Sequence, residues 1–369
     1  MVRRRPVLAA ALTILLAEAV FAPPAAGGDD PHVIVAGDSL QEAVDAARPG
    51  DTIVVPPGTY EGGVVLDKSG ITIRGSRAAV IDASGHSMGI RVGTGRIAPG
   101  LDGWPVCPPT ALHDITIEGL TVRDAEFTGV FLSGVDGFRL SGGRYTDNDE
   151  YGPFPICSRN GLIEHNEVSG TEDAGIYVGD STDVAIVGNR VTRSAIGIEA
   201  ENTARTVIRT NTLTDNTVGI LVSLLPGLPL PLNEDTLIEG NTIHHNNFPN
   251  PVPPDGGDEV GLLPTGSGVI NIGGDRMVML RNSVVGNDTV GVAVLSTPFA
   301  AEDPRLEPAP DGNEVRSNTT LRNGASPDPL RPIGQGADIL YDGTGTGTCF
   351  GPNVFATDSP PGITGLFPC

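Results

Sequence analysis

The chain has 369 residues, of which 50 are glycine and 32 proline, while aromatic residues make up only 4%. This is long enough for a large core, which must be aliphatic, and Gly plus Pro stays below the ~25–30% typical of a low-complexity chain. The formal charge of −22, with Lys68 the single lysine, excludes nucleic acid and anionic membrane surfaces as partners and is compatible with divalent cations or neutral glycans.

Residues 1–26 read as a secretory signal peptide. Arg3-Arg4-Arg5 precedes an apolar run from Val7 to Ala17, too short to span a bilayer, followed by Ala17-Glu18-Ala19 and small residues to Gly28. The expected location is extracellular or periplasmic, with no membrane anchor. Cys107, Cys157, Cys349 and Cys369 have no C-x-x-C spacing, so an exported chain would use them as two disulfides. Of the three connectivities, Cys107–Cys157 with Cys349–Cys369 is the most economical.

Ser39-Leu-Gln-Glu42 is a capping box that opens a short amphipathic helix ending near Arg48. Period-two segments follow at Asp51–Val55, Tyr60–Leu66 and Ile71–Arg74. From there the sequence repeats itself. Gly129, Gly152, Gly175, Gly197 and Gly219 each open a strand at intervals of 23, 23, 22 and 22 residues, and Gly268 and Gly291 resume the series. A second pattern carries Asn166, Asn189, Asn211, Asn241, Asn282 and Asn318, with Gly143 at the earlier equivalent place. Three short strands per ~22 residues, stacked at ~4.8 Å, predict an all-β, right-handed parallel β-helix with an N-terminal capping helix. Residues 33–325 are assigned to it and 326–369 to an irregular C-terminal cap. Turn chemistry makes the Asn column structural, since Asn accepts left-handed turns and stacked amides bond one another.

The entry Ser39–Gly75, with Pro49-Gly-Asp-Thr-Ile-Val-Val-Pro-Pro-Gly-Thr-Tyr60, and the repeats that follow resemble the secreted pectin-lyase-like superfamily, specifically its carbohydrate-binding and sugar-hydrolysis type repeats. The resemblance covers residues 33 to 325. It implies that a monomeric protein binds extracellular polysaccharide in a groove over one sheet. The Asp-Pro-His-Asp of mannuronan epimerases, the Trp-Ile-Asp-His of pectate lyases and the polygalacturonase-like signatures are absent, so site residues must come from the repeat itself.

Within each Gly-led strand the first and third residues after the glycine are apolar and point inward, so the second points outward. This gives an outer column of Phe131, Phe154, Tyr177, Glu199, Leu221, Ile270 and Ala293, with Glu201 beside it. Phe131, Phe154 and Tyr177 form a platform for stacking sugar rings. Long insertions at 93–111, 223–236 and 295–313 leave the same corner and 246–266 enters from the other, walling this face. Trp104 lies on the first insertion. Glu126, Asp149 and Glu172 recur three residues before successive glycines and would repel one another unless a cation sits between them, so Ca²⁺ is the expected ligand there. Glu199, Glu172, Asp173 and Arg205 are the candidate catalytic groups, with Asp180 as a further substrate contact. Paired carboxylates suit a hydrolase, and an arginine facing acids suits proton abstraction by a lyase or epimerase. The rival reading is a non-catalytic binding or structural module whose acidic turns hold Ca²⁺.

Overall fold

A computed structural model describes residues 32–369 except 101–102, 256–258 and 335. The signal peptide lies outside the described residues. No described helix is long and apolar enough to cross a membrane.

Parallel strands stack coil on coil as the repeat requires. One face is a 12-stranded sheet running from Val33–Val35 to Cys349–Phe350, and the Asn-bearing and Gly-led strands form the other two faces. The inward residues Val130, Leu132, Ile176, Val178, Ile198 and Ile220 have no exposed surface and fill the coil. Leu40–Ala46 is the capping helix, with the Ser39 hydroxyl accepting from Glu42 N–H, and Leu40, Ala43 and Val44 close the first coil. The one lysine has a place here. Lys68 Nζ donates to the carbonyls of Val44, Asp45 and Ala47 at 2.9, 2.7 and 3.0 Å, complementing the negative end of the helix.

The asparagines form a continuous buried ladder. Asn189 N–H and Nδ2 both donate to Asn211 Oδ1 (2.8 and 3.0 Å), and the same pair of bonds links Asn166 to Asn189 and Asn211 to Asn241. The left-handed residue is not the asparagine but the one before it. His165, Thr210 and Arg281 have φ of 55°, 54° and 58°, and Gly188 and Gly240 fill the equivalent places. A second ladder runs along the next corner through Asn216, Asn246, Asn287 and Asn323 and ends on Asp338.

The glycine column reflects close approach between coils. A β-carbon added at Gly175 would lie 2.3 Å from Val191 Cγ1, and at Gly197 it would lie 2.5 Å from Gly219 O. Gly175 is not among the positive-φ residues, so contact rather than dihedral freedom selects it. Gly175→Val should therefore cost several kcal/mol through forced overpacking, on the order of the ~1–3 kcal/mol of a single strained methylene or more. A urea midpoint unchanged from the wild type would refute this.

The coil continues past residue 325. Ala337–Tyr341 pairs in register with Val290–Leu295, Asp358–Ser359 pairs with it in turn, and Cys349–Phe350 extends the first sheet. The boundary expected at 325 is thus too early. Its Pro- and Gly-rich connections hide strands that obey the same inward pattern, with Ile339 fully buried. Both disulfides take the economical pairing, Cys107–Cys157 and Cys349–Cys369.

Candidate active site

The outer column exists in the expected register: Phe131 opposes Phe154, Tyr177 opposes Glu199, Glu199 opposes Leu221, and Leu221 opposes Ile270. It is not an open platform. Phe154, Tyr177 and Glu199 are 7, 5 and 4% exposed, because the insertions fold over them. Phe154 packs against Tyr177 at 4.3 Å between ring centroids and against Tyr151, Phe127 and Phe131 at 4.4 to 5.6 Å. The faces of Phe154 are used in packing, so a structural role replaces the stacking role expected of it, while Phe131 stays half-buried at the edge of the cluster with a single tilted contact to Phe154.

Beyond this aromatic wedge lies a cavity of about 610 Å³, floored by the outer face of the Gly-led strands and roofed by the insertions. Its polar wall is formed by Tyr151, Asp173, Tyr177, Glu199, Glu201 and Ser223, with Glu150 and Glu259 also lining it. Asp173 reaches it through a bulge. The pairing with Arg190–Glu201 slips between Thr171 and Ala174, which is the structural counterpart of the change from a 23- to a 22-residue interval. The Tyr151 hydroxyl donates to Asp173 Oδ2, the Tyr177 hydroxyl to Glu201 Oε1 at 2.7 Å, and the Ser223 hydroxyl to Glu199 Oε1 at 3.1 Å.

Burial sets the electrostatics. Loss of water holds the Glu199 carboxyl well above its ordinary value, and the charges of Glu201 and Asp173 push it further in the same direction. Glu201 is raised to about 8, again chiefly by burial, while the Tyr177 hydroxyl bond opposes the shift. Both tyrosine hydroxyls are held above their ordinary values by burial and by the same carboxylates. At neutral pH the pair Glu199–Glu201 therefore retains protons. Tyr177→Phe removes a donor that favours ionised Glu201, so the Glu201 titration should move upward from about 8 by roughly one pH unit. Carboxyl-carbon NMR would show it, and an unchanged midpoint would remove Tyr177 from the network.

Other expected residues are elsewhere. Glu172 is exposed, outside the cavity wall, and Arg205 is at the far corner of the coil, paired to Asp183 through Nε and Nη2 at 2.7 Å each. Arg205 therefore has no path to the carboxylates. Asp180 is buried beneath the second insertion, accepts Leu230 N–H at 2.8 Å and is raised to about 6 by burial. Trp104 faces Arg305, whose guanidinium sits 4.1 Å from the indole centroid and ties the first insertion to the third. Glu126 and Asp149 are exposed like Glu172, and these three present no converging ligand set. Among the described residues, Glu314, Cys349 and Cys369 are the group whose potential ligand atoms converge, and the two cysteines are joined to each other.

Tyr151 escaped the sequence reading because alternation breaks at the glycine. The glycine itself faces the core, so the residue before it joins the outer face. Ala174, Ile196, Val218 and Val290 do so with Tyr177, Leu221 and Ile270. An apolar row in that position was the available signal of a covered face.

Residues 62–225 match the family model described as right handed beta helix region. The chain has the right-handed parallel β-helix fold. Solved structures similar to this β-helix include the A-module of a mannuronan C-5 epimerase of Azotobacter vinelandii, at 15% identity and a TM-score of 0.60, covering 87% of this chain and 91% of that one. DFA-IIIase of Arthrobacter chlorophenolicus A6 is similar at 14% identity and a TM-score of 0.57, with 89% and 82% covered. At such identities the likeness is one of fold. A search of curated proteins found no sequence match to this β-helix.

Proposed function

We propose that this β-helix is an exported carbohydrate-active enzyme that hydrolyses a glycosidic bond of a neutral carbohydrate in the roofed cavity. The observation that carries the reading is the meeting of Asp173, Glu199 and Glu201 on adjacent coils, with burial keeping one of them protonated at neutral pH. Glycoside hydrolysis needs an acid that keeps its proton and a carboxylate that gives up or accepts one. Glu199 is the acid: it protonates the leaving oxygen as the anomeric C–O bond breaks. Asp173, the acceptor of the Tyr151 hydroxyl, takes the proton of the water that adds to the anomeric carbon. Burial and the charges of Glu201 and Asp173 keep the Glu199 carboxyl protonated.

A uronate substrate is disfavoured because no arginine, lysine or histidine is among the described residues lining the cavity, and the carboxylates there would repel its charge. The carbohydrate chemistry named for the similar solved structures agrees with the class, and the two disulfides suit an oxidising compartment. The test is incubation with neutral and uronic glycans and glycosides, with and without Ca²⁺, scoring reducing ends and unsaturated-uronate absorbance. Reducing ends from neutral substrates alone are expected. Absorbance would replace the hydrolase by a lyase, and silence in both would favour the binding module.

A further inference from the structure

The cavity is polar at one end and aliphatic over the rest. Along its floor the register orders Tyr177, Glu199, Leu221 and Ile270, and the adjacent row orders Glu201, Ser223, Ile272 and Leu295. At ~4.8 Å per coil, the floor beyond the carboxylates is therefore apolar for roughly 10–14 Å, apart from Ser223, whose hydroxyl is already committed to Glu199. The roof is mostly apolar too, although it comes from separate insertions: Leu225 and Leu228 from one, Val260 and Leu263 from another, Phe299 and Ile333 from two more, while Glu259, next to Val260, adds its charge to the carboxylate end, where it acts on Glu199 and Glu201. The polar group at the far end, Asp342, is engaged already. Its Oδ2 accepts Ser296 N–H and Oγ at 2.7 and 2.9 Å, and its Oδ1 accepts Thr344 N–H and Oγ1 at 2.9 and 2.6 Å.

A second and third sugar laid along such a floor would surrender hydroxyl–water bonds to leucine and isoleucine side chains that return none, at a cost of ~1–3 kcal/mol for each buried hydroxyl left unpaired. A hydrocarbon would lose nothing. The volume of about 610 Å³ also lies within the ~300–1,000 Å³ of small-ligand sites, which are mostly apolar with a few placed polar groups. Resting on the reading that these carboxylates cleave a glycosidic bond, we infer that the substrate is an amphiphilic glycoside. One sugar ring sits against Glu199, Glu201 and Asp173, and an aliphatic aglycone lies along Leu221, Ile270 and Ile272. Cleavage passes the Glu199 proton to the aglycone oxygen, so the products are a free sugar and an alcohol.

The experiment uses n-alkyl glycosides from methyl to octyl, in gluco and galacto forms and both anomers, below their micellar concentrations. Binding to full-length Glu199→Gln protein is measured by calorimetry and turnover by the wild type. Affinity should rise about three- to four-fold per added methylene. The rise should flatten in Leu228→Asp and in Leu262→Asp, the latter at a rim leucine that is 54% exposed and safe for folding. Chain-length-dependent binding without turnover would keep the aliphatic site and remove the hydrolase. Affinity independent of alkyl length, or absent, overturns the aliphatic inference. If oligosaccharides were cleaved in that case, the hydrolase reading would stand with a polysaccharide in the cavity.

Discussion

Glu199→Gln removes turnover, by ~10²–10⁴-fold or more, and at the same time makes the protein more stable at pH 8. The two effects have one cause. Glu199 is 4% exposed and its carboxyl is held well above 4.5 by burial and by neighbouring carboxylates. A raised value in the folded state means that the folded protein prefers the proton more than the unfolded chain does. The stability contribution is complete below about pH 4.5, where both states are protonated, and falls as pH rises toward the folded value. Glutamine cannot ionise and can still accept the Ser223 hydroxyl, so the variant loses this slope together with the acid. Thermal melts of the two proteins should coincide near pH 4 and separate toward pH 8, the variant melting higher. An active variant would remove Glu199 from the reaction, and coincident melts at pH 8 would show that its carboxyl is not held in the neutral form.

The stacking of this site was legible in the sequence and its enclosure was not. Period-two alternation with a 22- to 23-residue repeat fixes which residues lie side by side, and Tyr177, Glu199, Leu221 and Ile270 fall in one row as those intervals require. Local rules cannot fold a 20-residue insertion, so the roof that buries Phe154 and turns Glu201 into a group titrating near 8 was out of reach. The choice between Glu172 and Asp173 depended on a bulge at Thr171–Ala174, which swings Asp173 into the cavity and leaves Glu172 in solvent. Arg205 was misplaced for a different reason. It does face acids, but its partner Asp183 is on the coil below at the same exposed corner, where such pairs contribute little.

Asn211→Leu should cost roughly 3–6 kcal/mol, more than an ordinary core substitution. Asn211 is 1% exposed and its amide serves four groups on the two neighbouring coils: it accepts Asn189 N–H and Nδ2 and donates to Ile186 O and Asn241 Oδ1 at 2.9 and 3.0 Å. Leucine fits the volume but leaves a backbone donor and a backbone acceptor buried without partners. Because each coil of a solenoid contacts only its neighbours, the damage should be local in origin, and hydrogen exchange should quicken first at the amides of 186–191 and 208–213. Position along the ladder then becomes a test. Asn353 ends the same ladder in a half-exposed place, bonding Asn318 on one side and the Val315 and Gly351 carbonyls on the other, so water can replace what Asn353→Leu removes. Its urea midpoint should drop by less than half as much. Equal losses at 211 and 353 would mean that the asparagines act through turn conformation alone, and the residues before them, which hold the left-handed dihedrals, argue that they do not.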